Sequence, residues 1–197
     1  MAAQNQKKGL VLVDFINEIV DRKGKLAGKG YADFIEKNRT LDRVQTLLSK
    51  AREHGIQIFH VKVGFSHEYI EHPQSSVLFG AAKKFEALQL NSWATEFHPK
   101  AEPKPNETII IKHRVSAFYG TPLDLILRNN NITELLVCGV ATDIAVQSIV
   151  RDAHDRDYSV TVVSDCCVAA NDDDHEQSLR TLTKIGIVKN LNQLELM

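Results

Sequence analysis

An aspartate and a lysine, each closing an apolar run far from the other in the chain, could form an acid-base pair. Asp14 ends the run from Gly9, and Lys112 ends the run from Thr108. Taken singly, Asp14 reads equally as a turn-forming cap and Lys112 as a solvated charge. If the two runs lie in one parallel sheet, both side chains project into one cleft and perturb each other's ionisation. A third stretch completes the set. GVATDIAVQSIVRD, Gly139 to Asp152, follows the apolar Leu135 to Cys138 and passes directly into helical periodicity. A strand, a sharp turn and a helix start bring backbone N–H groups and the positive end of a helix to the carboxyl edge of a sheet. That edge is where an α/β protein does chemistry.

The elements that must position these residues alternate between strand and helix. Gly9 to Asp14, Ile56 to Val63, Thr108 to Ile111, Glu134 to Cys138 and Ser159 to Ser164 read as buried strands. Leu41, Val44, Leu47, Leu48 and Ala51 fall at helical spacing, and Gly55 supplies a stop. Pro122 to Arg128 reads as a short amphipathic helix with Thr121 as its cap, and Leu179, Leu182 and Ile185 mark a last helix. This order predicts right-handed crossovers and an α/β fold: a three-layer α/β/α sandwich around a mostly parallel, Rossmann-like sheet of about six strands. Residues 18 to 40, with Gly24, Gly28 and Gly30 among lysines, read as a long loop at a pocket rim or a subunit contact. They lack the G-K-[ST] ending of a phosphate loop. Residues 64 to 106, punctuated by prolines, read as a functional connection or one hiding short helices.

With 197 residues the chain is expected to form one domain, residues 1 to 197, around a single core. Lys+Arg 24 against Asp+Glu 25 leaves a formal charge of −1, so no global field favours nucleic acid or an anionic membrane. The partner expected is a small-molecule substrate. No apolar run approaches the roughly 20 residues of a membrane span, and MAAQNQKKG lacks the apolar centre of a signal peptide, so a cytoplasmic location is expected. Cys138, Cys166 and Cys167 are an odd set with two adjacent, which suits reduced thiols. None begins a helix, the setting that lowers a thiol pKa, so all three read as structural.

The hexapeptide GVATDI, the block VLVDFIN at Val11 to Asn17 and the block IIIKHRVSAFYGTPL at Ile109 to Leu123 together resemble the three signature blocks of the isochorismatase-like cysteine hydrolases. The resemblance runs in order through about residues 9 to 170. It implies a Cys-Asp-Lys triad in which Asp14 exchanges the proton, Lys112 holds charge and position 145 carries the nucleophile. Here position 145 is Ala145. It further implies an oxyanion site at Val140 and Ala141, formed by the N–H groups of Ala141 and residue 145 with a cis peptide between Val140 and Ala141. Asn17 matches a family position, whereas Ile16 stands where glutamine is common. Phe118 is implied as a pocket wall, and with Asn17, Phe65, Trp93 and Tyr119 it makes up the expected substrate pocket. Trp93, the single tryptophan, also reads as a packing anchor, and Arg114 and Tyr119 also read as makers of structural hydrogen bonds. Related nicotinamidases place metal ligands after the second strand in an Asp-x-His pattern. Around His60, His67 and His72 that pattern is absent, and no metal or cofactor is expected. A homodimer or homotetramer is implied.

Three functions are compatible with this sequence. The first is an amidohydrolase cleaving a C–N bond of a small amide, ureide or related carbonyl compound, with alanine substituted for its cysteine nucleophile. The intact Asp14 and Lys112 favour a single change of this kind. The second is an enol-ether hydrolase of the isochorismatase type, in which Asp14 acts as a general acid and no nucleophile is needed. The third is a non-catalytic binding protein in which Asp14 and Lys112 form a structural ion pair.

Overall fold

The computed structural model describes residues 7–196. Six strands form one wholly parallel sheet in the order β3-β2-β1-β4-β5-β6. They are β1 (Lys7–Val13), β2 (Gln57–Val63), β3 (Thr108–Lys112), β4 (Ile132–Gly139), β5 (Ser159–Val163) and β6 (Ile187–Lys189). The central strands are continuous apolar runs because helices cover both of their faces. Six helices complete the fold: α1 (Asn17–Val20), α2 (Tyr31–Asn38), α3 (Thr40–Glu53), α4 (Leu123–Asn129), α5 (Gln147–His154) and α6 (Asp172–Leu182). Right-handed crossovers place α3 on one face and α4, α5 and α6 on the other, which gives the three layers. The expected fold class is therefore the observed one.

The strand order reverses between β1 and β4. In an open parallel sheet the crevice at such a reversal, outside the carboxyl ends of the strands, is where ligands bind. The two strands approach closely there: a side chain on Gly139 would lie 2.6 Å from the Val13 carbonyl oxygen. Only glycine permits that spacing at the last residue of β4.

Residues 18 to 40 depart from the loop expected of them. They contain α1, a single 3-10 turn at Ala27–Lys29 and the two-turn α2, whose Ala32, Phe34 and Ile35 are buried. So short a helix carries too few apolar positions for its period to stand out against the flanking lysines and glycines. The long connection from 64 to 106 holds short 3-10 turns at Trp93–Thr95 and Pro99–Ala101. At the start of α4, the Thr121 hydroxyl accepts the Leu123 N–H at 3.2 Å. Gly55, at φ 65, follows the end of α3.

Glu107, just ahead of β3, ties that edge of the sheet to α3. It accepts both Arg52 Nε (2.7 Å) and Nη2 (2.9 Å), the Lys104 N–H (2.8 Å) and the His60 Nε2–H (2.8 Å). Burial alone would raise the Glu107 carboxyl, but Arg52, the Lys104 amide and His60 outweigh it and hold it at about 2. A carboxyl depressed in the folded state stabilises above its unfolded value of 4.5, and that stability is lost as pH falls from there toward 2. Glu107→Gln is expected to lower the urea midpoint at pH 7 by about 2 kcal/mol equivalent, after allowance for solvent screening, and to flatten the decline between pH 4.5 and 2. Urea titrations of both proteins across that range measure it; parallel curves would refute the role.

Candidate active site

Asp14 is the first residue beyond β1. It sits at φ 59, in the left-handed region that aspartate tolerates better than most residues. Its backbone N–H donates to Val61 O at 2.8 Å, and its Oδ1 accepts the Val63 N–H at 2.7 Å. Its Oδ2 pairs with Lys112 Nζ at 2.8 Å. Lys112 Nζ also donates to the Arg114 carbonyl at 3.2 Å. The two residues are 3% and 1% exposed. Strand β2 lies between their strands, and Val63, in register with Lys112, supplies the backbone donor that aims the carboxylate. Burial pushes the Asp14 carboxyl above its ordinary value, opposed by the charge and hydrogen bond of Lys112 and by the Val63 amide. The pair is thus a buried ion pair held in a fixed place by backbone hydrogen bonds.

The chain leaving β4 forms the second half of the site. The Val140–Ala141 peptide is cis. Val140 N–H donates to Val13 O at 3.0 Å and Thr142 N–H to Val168 O at 2.7 Å, which fixes the turn between β1 and the segment after β5. Thr142–Val146 then winds as one wide π turn before α5, with the N–H groups of Ile144 and Val146 both directed to the Ala141 carbonyl. Single π turns of this kind occur often at functional sites. Ala145 lies within it, 3% exposed. His175 on α6 is hydrogen-bonded through Nδ1 to the Thr142 hydroxyl at 2.9 Å and braces the turn from behind.

Asp14, Lys112, Val140, Ala141 and Ala145 all line one cavity of about 500 Å³. Its walls are apolar: Ile19, Leu26, Val115 and Ile144, with Leu78, Phe79, Ala82, Phe85 and Leu88 from the connection between β2 and β3. Lys25, Lys29 and Tyr31 also line it, so the 18 to 40 segment does form a rim. The stretch from Leu78 to Leu88 was not foreseen as a wall. Its signal, apolar residues at three-residue spacing through 79, 82, 85 and 88, is weak inside a proline-punctuated connection.

The expected pocket residues divide. Phe65 is fully buried and lines no cavity; it packs behind the wall against Phe79, with ring centroids 5.7 Å apart, and against Tyr69, His72 and His113. Phe118 lies against Tyr158 and under the Arg156 guanidinium, 5.0 Å from its ring, and so faces away from the cavity. Tyr119 is exposed to solvent. Asn17 and Trp93 line a different cavity, of about 470 Å³, where Asn17 Nδ2 donates to the Trp93 carbonyl at 3.0 Å. Ile16 is fully buried and bridged to Phe97, so it has no place at the cavity entrance. In each case a residue near a site block in sequence turned the other way, because side chains alternate at the sheet edge and the connecting turns reorient them.

Arg114 donates to the carbonyls of Glu71 (2.8 Å) and His113 (2.7 Å), a structural role. The three histidines scatter: His60 bonds Glu107, His72 bonds the Phe79 carbonyl at 2.7 Å, and His67 pairs with Gln89 at the surface. Cys138, Cys166 and Cys167 are buried, and burial raises all three thiols, Cys167 to about 12. A thiol so far above neutrality holds almost no thiolate and is a poor nucleophile.

The geometry has counterparts among known proteins. A model of the isochorismatase domain matches residues 8–191. The chain is 31% identical over 159 residues to the isochorismatase family protein YecD of Escherichia coli O157:H7, covering 80% of this chain and 82% of that one. It is 28% identical over 177 residues to the ureidoacrylate amidohydrolase RutB of Acinetobacter baylyi, covering 84% and 72%. The crystal structure of N-carbamoylsarcosine amidase from Thermoplasma acidophilum superposes with a TM-score of 0.77 at 25% identity, over 96% of this chain and 99% of that one. With a domain match running from the first strand to beyond the last, the chain belongs to the isochorismatase family.

Proposed function

We propose that this family hydrolase is built to cleave the C–N bond of a small amide, ureide or related carbonyl compound, with position 145 as the seat of the nucleophile. In its Ala145 form it then holds substrate without turning it over. The observation that carries the reading is the buried Asp14–Lys112 pair, 2.8 Å apart, in the same cavity as Ala141 and Ala145. Relatives named for amidohydrolase activity on ureidoacrylate and N-carbamoylsarcosine support it.

In this mechanism a thiol at position 145 attacks the substrate carbonyl carbon while Asp14 takes its proton. The N–H groups of Ala141 and residue 145 receive the developing oxyanion. Asp14 returns the proton to the departing amine, and water, deprotonated by the same carboxylate, releases the acid and frees the thiol. Lys112 balances the charge on Asp14 at each stage. Alanine has no sulfur, so the thioester cannot form on the chain as it stands.

The burial that raises the Asp14 carboxyl favours one other reading, an enol-ether hydrolase in which protonated Asp14 donates to carbon. The two readings predict opposite pH dependence. A base must be ionised, so amide turnover falls as pH drops through the Asp14 pKa, with a midpoint above the ordinary 3.8. A general acid must be protonated, so enol-ether turnover rises over the same interval.

Ala145→Cys is expected to release ammonia or amine from simple amides where the parent chain releases none. Adding Asp14→Asn should lower that rate by about 10²–10⁴-fold. An ammonia-coupled assay over a broad amide panel decides it, and silence from a folded Ala145→Cys protein would sink the amidohydrolase reading. Cleavage of isochorismate by the unaltered chain, faster at lower pH, would replace it with the enol-ether one. Lys112→Met leaves Asp14 buried without its partner and is expected to cost about 3–5 kcal/mol in denaturant unfolding. A cost under about 1 kcal/mol would show that the pair is not closely coupled.

A further inference from the structure

We infer that the substrate of this site is an amide with an apolar acyl body, a medium-length alkyl or aryl chain, and not a compound carrying a second polar group. This deepens the amidohydrolase reading and rests on it for the reacting amide alone. The only polar side chains lining the cavity among the described residues are Asp14 and Lys112 at the reacting end and Lys25, Lys29 and Tyr31 elsewhere. No serine, threonine, asparagine, glutamine or arginine side chain lines it. Lys25 is already engaged, its Nζ donating to the carbonyls of Phe85 (2.8 Å) and Glu86 (2.9 Å). Lys29 is exposed and Tyr31 half-buried, so both belong to the 18 to 40 rim and leave the walls from Leu78 to Leu88 without a polar side chain.

The walls that a substrate body would touch are Leu78, Phe79, Phe85, Leu88, Val115 and Ile144. They are fastened in place. The buried Glu18 carboxylate accepts the Leu88 N–H at 3.3 Å and the Lys25 N–H at 3.5 Å, and Tyr69 donates to the Ala87 carbonyl at 2.9 Å. A cavity of about 500 Å³ far exceeds what a bare carboxamide fills. The remainder therefore receives hydrocarbon, and each buried methylene gains about fourfold in affinity. A second amide, ureido or carboxylate group set among these apolar walls, away from Lys29 and Tyr31, would lose its water with no polar side chain beside it, at a cost of about 10- to 100-fold.

Isothermal titration of the chain as it stands with butyramide, hexanamide and octanamide, and with adipamide and N-carbamoylglycine, tests this. Affinity is expected to climb about fourfold per methylene along the alkyl series, with adipamide at least tenfold weaker than hexanamide. Leu78→Asn, at the partly exposed edge of the wall, should weaken octanamide more than butyramide. Affinity independent of chain length, or N-carbamoylglycine binding as tightly as hexanamide, would overturn the inference. Ammonia release by Ala145→Cys on the same compounds separates the two claims. Release favouring N-carbamoylglycine overturns the apolar class and leaves the reaction standing. Tight, length-dependent hexanamide binding with no release supports the apolar class and overturns the reaction.

Discussion

Two opposite charges, a carboxylate and an ammonium, lie 2.8 Å apart and almost wholly removed from water. Taking both out of solvent costs several kcal/mol each, and their attraction repays it only when geometry and additional hydrogen bonds are favourable. Here the Val63 amide and the Arg114 carbonyl supply those bonds. Both come from backbone already fixed at or just beyond the carboxyl ends of β2 and β3, so the sheet pre-orders the partners at little further entropic cost. A site of this kind needs a parallel sheet whose strand ends converge, which is what the 3-2-1-4-5-6 order provides where it reverses. The close approach at Gly139 serves the same end. It lets β4 lie against β1 so that the turn carrying Ala141 and Ala145 reaches the Asp14 side of the sheet.

The cavity answers this polar floor with apolar walls, and the contrast has a physical consequence. Solvent excluded by Phe79, Ala82 and Leu88 lowers the local dielectric, which strengthens every charge interaction at the floor. The same exclusion raises the Asp14 carboxyl. A base with a raised pKa lies nearer to the operating pH and takes a proton more readily. Phe65 contributes at one remove, supporting Phe79 from behind without touching the cavity.

Much of the framework was legible in the sequence because it is local. The apolar runs ended by Asp14 and Lys112 and the strand-turn-helix at Gly139 to Asp152 each carry their signal within fifteen residues. Their convergence followed from parallel topology. Two things were not legible. One is any contact spanning a strand, such as the Val63 amide on Asp14, since register between β1, β2 and β3 is set by tertiary packing. The other is the facing of residues in and near the signature blocks. Phe118 is inside a block and Trp93 in the connection ahead of it, yet Phe118 lies under Arg156 and Trp93 on a separate cavity. The wall from Leu78 to Leu88 was hidden for a related reason: it holds its shape through Glu18, Lys25 and Tyr69, all remote or weakly patterned partners, and not through a period of its own.

Alanine at position 145 is buried within the turn and lines the cavity. A cysteine differs from it by one sulfur atom projecting toward the space that the cavity already provides beside Asp14. Nothing else in the turn depends on that atom: the Ala141 carbonyl is bound by the amides of Ile144 and Val146, and Thr142 is held by Val168 and His175. Cys138, Cys166 and Cys167 are each buried with the thiol far above neutrality, and none lines the cavity. The floor, the turn and the walls are therefore assembled by backbone hydrogen bonds and packing, and the assembly asks of position 145 only a side chain small enough to face the cavity.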